Sequence, residues 1–216
     1  MKFIGPSTTF FYYIFNVSLS VITIMITNFL IRLLLKNMIK NTYLIKKRID
    51  HNVSVVTNMK NDNILAMKML RKHYDADMVY CMKREIAIHK ILEHENIIKY
   101  QDDYESDRCI YLFTSYIDTG DLSYKLKQHT RFEETIAKVY IMEVIKGIKY
   151  LHDKYIVHRD IKTNNLLIDA NNNIKIIDFG KATYLFDGRK STTLCGTIEY
   201  LAPELCKVPI IPMISR

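Results

Sequence analysis

Hydrophobic and polar positions alternate in short runs over residues 44–72. Residues 44–49 (LIKKRI) and 53–57 (VSVVT) read as strands. Residues 63–70 (NILAMKML) read as a stronger one, entered through the turn-like Lys60-Asn61-Asp62-Asn63. The period then lengthens. Over residues 77–93, Val79, Met82, Ile86 and Lys90 fall on one stripe with Ile88, Ile91 and Leu92 beside it, which predicts a helix capped by Asp77. Residues 97–101 and 109–117 return to strand patterning. Residues 134–153 predict a long helix with Ile136, Val139, Tyr140, Val144, Ile148 and Leu151 on its inner face. Two short apolar runs, LLID and IKIID, close the pattern as strands. A small β-rich lobe with one helix therefore precedes a mostly helical lobe, an α+β arrangement.

The first forty residues follow neither period. No charged residue occurs between Phe10 and Ile31, a run of 22 positions and long enough to span a bilayer as a helix. Arg32, Lys36, Lys40, Lys46, Lys47 and Arg48 follow it, against Lys2 alone before it. That bias predicts a membrane anchor at residues 10–31 with everything after residue 32 in the cytoplasm. A cleaved signal peptide fits less well, because the run is long and no small-residue cleavage site follows. The alternative is a start site set too far upstream. The chain divides on this reading into a hydrophobic segment, residues 1–40, and a domain over residues 41–216.

Charge adds little beyond this. The chain of 216 residues carries a formal +8, and Lys2, Arg32, Lys36 and Lys40, with no acidic residue among positions 1–40, supply four of it. The basic excess thus flanks the apolar run and forms no nucleic-acid surface. Cys81, Cys109, Cys195 and Cys206 show no C-x-x-C spacing and no histidine cluster, which argues against a zinc site or a disulfide framework.

Candidate chemistry lies in four motifs in order. His158-Arg159-Asp160 is followed at the fifth position by Asn165, and Asp178-Phe179-Gly180 comes next. Ala202-Pro203-Glu204 lies beyond it, and Ala66-Met67-Lys68 sits upstream on the third strand. Together they resemble the protein kinases. The resemblance implies a two-lobed fold, with an N-lobe to about residue 117 and a C-lobe from about residue 118. It also implies use of ATP and Mg²⁺ to phosphorylate protein serine or threonine.

The resemblance assigns roles residue by residue. Lys68 would hold the α- and β-phosphates, steadied by Glu85. Asp160 would accept or orient the proton of the substrate hydroxyl, and Lys162 would touch the γ-phosphate, a placement typical of serine/threonine kinases. Asn165 and Asp178 would bind Mg²⁺ through oxygen. Val53, Ala66 and Leu167 would line the adenine, with Thr114 as gatekeeper, Ser115, Tyr116 and Ile117 as hinge, and Asp121 near the ribose. His158 and Phe179 would belong to a stack linking the lobes. A phosphate on Thr193 would give Arg159 a bidentate partner, and Thr197 would hydrogen-bond near Asp160 and Lys162.

Within the family, Arg84-Glu85-Ile86-Ala87-Ile88-His89 and residues 186–197 resemble the polo-like kinases. Ile198-Glu199-Tyr200 departs from them, since Glu199 is closer to the cyclic-nucleotide-dependent and Aurora-like kinases. Two further departures bear on activity. The glycine-rich loop should occupy residues 46–53, and none of these is glycine. Glycine there lets backbone amides approach phosphate, so weakened ATP binding is expected. The family also continues for several helices past the A-P-E motif, whereas this sequence stops at Arg216. A truncated C-lobe with an exposed apolar floor is expected, and with it the rival reading of a non-catalytic interaction module.

Overall fold

β-branched and apolar residues spaced by polar turns fold into a five-stranded antiparallel sheet in the computed structural model, which describes residues 42–73, 75–185 and 195–203. The strands are β1 (Tyr43–Arg48), β2 (Val53–Asn58), β3 (Ile64–Arg71), β4 (Tyr100–Glu105) and β5 (Cys109–Ser115), in spatial order β1-β2-β3-β5-β4. β1 is an edge strand whose lysines and arginine face solvent, a composition that discourages pairing with another chain. Tyr43 is its one buried residue and stacks on Phe113, ring centroids 4.0 Å apart.

Register places the sheet's chemistry on one face. Val53 is opposite Lys68, Val55 opposite Ala66, and Ala66 opposite Thr114, and directly opposed residues share a face. Residues 97–101 differ from expectation. The strand begins at Tyr100, while Ile97 makes a parallel bridge to Ile176 and Ile98 N donates to Ile176 O at 3.0 Å. The apolar pair at 97–98 is thus buried against the second lobe. Tyr116 and Ile117 also fall beyond the end of β5.

Helix α1 (Ala76–Lys90) packs across the sheet. Its cap is Asp75, whose side chain accepts from Asp77 N at 2.8 Å, so Asp77 is a first-turn acid and not the cap. Met82, Glu85, Ile86, Ile88 and His89 are buried, whereas Lys90 and Ile91 are exposed.

The second lobe is built on α2 (Leu122–His129) and α3 (Glu134–Asp153). Two small sheets accompany them: β6 (Ile156–Val157) with β9 (Thr183–Tyr184), and β7 (Leu166–Ile168) with β8 (Ile174–Ile176). Sequence patterning missed α2, although Asp121 after Gly120 is a cap signal, and its carboxylate accepts from Tyr124 N at 2.7 Å. The inner face of α3 is narrower than predicted. Tyr140, Gly147 and Leu151 are buried, but Ile136 and Val139 are exposed. Ile136 lies a turn before the packed stripe begins, and Val139 sits about 100° around the helix from Tyr140. Ile141, Met142 and Ile145 are exposed as well, so α3 presents an apolar outer face.

The lobes meet around Asn96. Its side-chain amide donates to Ile174 O at 3.2 Å, its backbone carbonyl accepts from Ile176 N at 2.9 Å, and Glu143 Oε2 on α3 accepts from Ile174 N at 2.6 Å. Gly147 permits this closeness, since a Cβ there would lie 2.7 Å from Ile176 Cδ1. Among the described residues no helix is long and apolar enough to cross a membrane; residues 10–31 lie outside them.

Candidate active site

Four segments converge between the lobes. β3 carries Lys68 and α1 carries Glu85, whose two oxygens both lie 2.9 Å from Lys68 Nζ. Asp178 Oδ1 stands 2.9 Å from the same ammonium. Burial alone would favour the neutral amine, but the Glu85 and Asp178 carboxylates outweigh it and hold Lys68 above the ordinary lysine range. Burial pushes Glu85 up, and the Lys68 ammonium opposes it.

Asp178 and Arg159 occupy left-handed backbone, at φ 63° and 65°, which non-glycine residues rarely adopt. Strain of this kind gathers where a fold holds chemistry in place. Phe179, between Asp178 and Gly180, is fully buried between two imidazoles. His89 lies 4.7 Å and His158 4.9 Å from its ring, both edge-on. His158 Nε2 donates to Ile177 O at 3.0 Å. His89 has no hydrogen-bond partner for its buried Nδ1, and burial, together with the Lys68 charge, pushes its pKa down to about 4.

The catalytic-loop residues form a second cluster. Thr197 donates to Asp160 Oδ1 at 2.7 Å and accepts from Lys162 Nζ at 3.0 Å, as the resemblance implied for Thr197. Lys162 Nζ is 3.4 Å from Asp160 Oδ2. Asn165 donates to Asp160 O at 2.8 Å and to Oδ2 at 3.3 Å. Sequence reading overlooked Lys181, whose ammonium is 3.2 Å from Asp160 Oδ2 and 3.1 Å from Gly196 O. The available signal was a cation directly after Asp178-Phe179-Gly180. Burial would raise the Asp160 carboxyl, but Thr197 and Lys181, then Lys162, outweigh it and hold it below the usual carboxylate range.

The remaining candidates are located by strand register and by single contacts. Ala66 and Thr114 are opposed across β3 and β5, Val53 lies opposite Lys68, and Asp121 bridges Leu167. One Asp121 oxygen is committed to capping α2. Ser115 N donates to Lys99 O at 3.0 Å, and Lys47 Nζ lies 5.7 Å from the Tyr116 ring centroid. Ile117 is half-buried beside them. Arg159 Nε donates to Lys181 O at 2.7 Å, while Thr193 and Glu204 lie outside the described residues.

The glycine-free turn uses its own amides. Ile49 N and Asp50 N both donate to Val53 O, at 2.9 and 3.1 Å, and His51 N donates to Asp50 Oδ1 at 2.6 Å. Arg48 donates to the carbonyls of Asp50 and His51. The amides of Ile49, Asp50 and His51 are therefore spent within the turn and not turned outward to a phosphate.

The donor set suits magnesium. Asn165 spends its amide hydrogens on Asp160, which leaves its carbonyl oxygen available, and Asp178 adds carboxylate oxygen. Among the described residues no cluster of three or more His, Cys, Asp or Glu could hold a metal by itself. Magnesium needs only one or two protein oxygens beside phosphate and water.

A β-sheet lobe, an Asp160–Asn165 loop and a Lys68–Glu85–Asp178 chain are the parts of a two-lobed protein-kinase fold. The protein kinase domain model matches residues 51–209, and the chain belongs to that family, among the serine/threonine kinases. It is 36% identical over 156 residues to a protein of Zea mays named probable serine/threonine-protein kinase CCRP1, covering 69% of this chain and 24% of the maize protein. It is 35% identical to an Aurora kinase of Schizosaccharomyces pombe, covering 71% of this chain and 43% of that kinase. It is 37% identical to Aurora kinase A-B of Xenopus laevis, covering 71% and 38%. The chain therefore spans less than half the length of these relatives. They correct the polo-like resemblance: the Aurora-like alternative carried by Glu199 fits them, and the polo-like reading drawn from residues 84–89 and 186–197 does not.

Proposed function

We propose that this chain is a serine/threonine protein kinase that transfers the γ-phosphoryl group of ATP to a protein hydroxyl. The observation that carries the reading is the pairing of Lys68 with Glu85 and Asp178, within reach of a catalytic loop whose Asp160 is oriented by Thr197 and Asn165. Lys68 would hold the α- and β-phosphates, Lys162 the γ-phosphate, and Asn165 and Asp178 the Mg²⁺. Bound magnesium would neutralise phosphate charge as the bond to the leaving group loosens. Asp160 would take the hydroxyl proton as the new phosphate–oxygen bond forms and ADP departs. Ala66, Val53, Thr114 and Leu167 would enclose the adenine, with Ser115 to Ile117 meeting its edge and Asp121 near the ribose. Arg159 would receive a phosphate on Thr193. Aurora-like serine/threonine specificity is the subfamily reading that the relatives favour. The kinase domain would act in the cytoplasm, with residues 10–31 meeting a membrane.

The occupied amides of Ile49, Asp50 and His51 favour one second reading, a nucleotide-poor interaction module. Thermal unfolding of the full chain with and without Mg-ATP separates the two. The kinase reading expects a cooperative transition raised by Mg-ATP and raised less in Asp178→Asn. A transition indifferent to nucleotide overturns it in favour of the module.

A further inference from the structure

The catalytic carboxylate is crowded. Thr197 holds Asp160 Oδ1 at 2.7 Å, and Oδ2 faces Lys181 at 3.2 Å, Asn165 at 3.3 Å and Lys162 at 3.4 Å. A substrate hydroxyl that surrenders its proton to Oδ2 must come within about 3 Å of it, and there one of its three neighbours has to yield. Thr197 and Lys162 hold each other at 3.0 Å, and Asn165 is fixed by the Asp160 carbonyl at 2.8 Å. Lys181 also donates to Gly196 O at 3.1 Å, but it is the more exposed of the two ammonium groups, its side chain 39% exposed against 22% for Lys162. A lysine ammonium on its flexible stem can swing where a planar amide cannot.

The backbone keeps Lys181 nearby when its head group moves. Residues 179–181 form a 3-10 turn, Val157 pairs with Thr183, and Arg159 Nε holds Lys181 O at 2.7 Å. An ammonium released from Asp160 therefore stays within a few ångströms of the acceptor hydroxyl, partly out of water and without its counter-charge. A carboxylate on the residue next to the acceptor, whose Cα is about 3.8 Å from the acceptor's own, can take it over. The exchange conserves charge pairing: Lys181 leaves Asp160 for the substrate carboxylate, and Asp160 is left for the hydroxyl. A neutral neighbour offers no such exchange, and a basic one repels the ammonium.

We propose that Lys181 is a specificity-determining residue that selects substrates carrying an acidic side chain immediately beside the phosphorylated serine or threonine. This rests on the kinase reading and names the substrate class of that same site.

The test compares synthetic peptides with a central Ser or Thr and Asp, Ala or Lys at the two adjoining positions, using the full chain with Mg-ATP. Asp-flanked peptides are expected to exceed Ala-flanked ones in kcat/KM by about fivefold, the effect of one part-exposed charge pair. Lys181→Met should shrink that ratio to within about twofold, Lys181→Arg should keep it, and Lys181→Glu should shift preference to Lys-flanked peptides. A merely structural lysine would not invert selectivity on charge reversal. Phosphate transfer with no Asp preference, or with a preference untouched in Lys181→Met and Lys181→Glu, overturns the proposal and leaves the kinase reading standing. Transfer to no peptide by any of the proteins overturns both.

Discussion

Both carboxylate oxygens of Glu85 lie 2.9 Å from the Lys68 ammonium, joining a helix and a strand 17 residues apart. The pair is buried on the Glu85 side, where the side chain is 3% exposed, so loss of Lys68 would strand the Glu85 carboxylate, whereas loss of Glu85 would leave Lys68 to Asp178 alone. Glu85→Gln should lower phosphate transfer by about 10²-fold, the scale of losing one fixed electrostatic contact to the reacting groups. Initial rates at saturating and limiting ATP check this, and unchanged rates would remove Lys68–Glu85 from the mechanism.

His89 predicts how stability responds to acid. Its folded pKa is about 4 against an ordinary 6.5, because burial disfavours the charged ring. As pH falls below 6.5 the unfolded chain takes up a proton that the folded chain refuses, so stability is full above that value and declines towards pH 4. One such group removes about 2 kcal/mol between pH 7 and pH 5. His158, shifted the same way by burial, adds to the slope. Urea unfolding across this range should show a shallower decline for His89→Leu than for the native sequence, and parallel profiles would contradict the assignment.

The glycine-free turn predicts a gain of function. In Asp50→Gly, the His51 amide loses the carboxylate it now donates to at 2.6 Å, and a negative charge leaves the loop. Mg-ATP affinity should rise about fivefold, the worth of one recovered hydrogen bond. Titration calorimetry would detect it, and equal or weaker binding would show that the loop does not meet phosphate.

The hydrogen bond that ties α3 to β8 beside Asn96 predicts a stability cost. Glu143→Ala leaves the Ile174 N–H, now 2.6 Å from a carboxylate oxygen, without that acceptor. A loss of about 1–3 kcal/mol in urea unfolding is expected, and a neutral change would mean that water replaces the carboxylate.

Much of this arrangement was legible in the sequence because short motifs hold it. Lys68, Glu85, Asp160, Asn165 and Asp178 stand at spacings that only the completed fold explains, and Thr197 was placed beside Asp160 and Lys162 from the motif alone. The long helix over residues 134–153 was legible from its period. What escaped depends on tertiary partners. Ile97 and Ile98 look like strand residues but bury against β8, and Ile136 and Val139 look like core yet face outward. The short helix α2 has too few turns to show a period, and only its Asp121 cap betrays it. Lys181 carries no motif of its own; its contact with Asp160 arises because β6 and β9 pair and draw the two loops together. The subfamily was misread for a related reason: the stretches that suggested polo-like kinases are short, whereas the Aurora relatives align over 155 to 157 residues.

Transfer of labelled γ-phosphate from ATP to serine or threonine in a mixed peptide substrate is the most direct measurement of the central claim. The full chain should produce phosphoserine or phosphothreonine, the product should vanish when magnesium is chelated, and Asp160→Ala should fall by at least about 10²-fold while unfolding as cooperatively as the native sequence. Product that persists in Asp160→Ala, or none from a folded native chain that binds Mg-ATP, would contradict it.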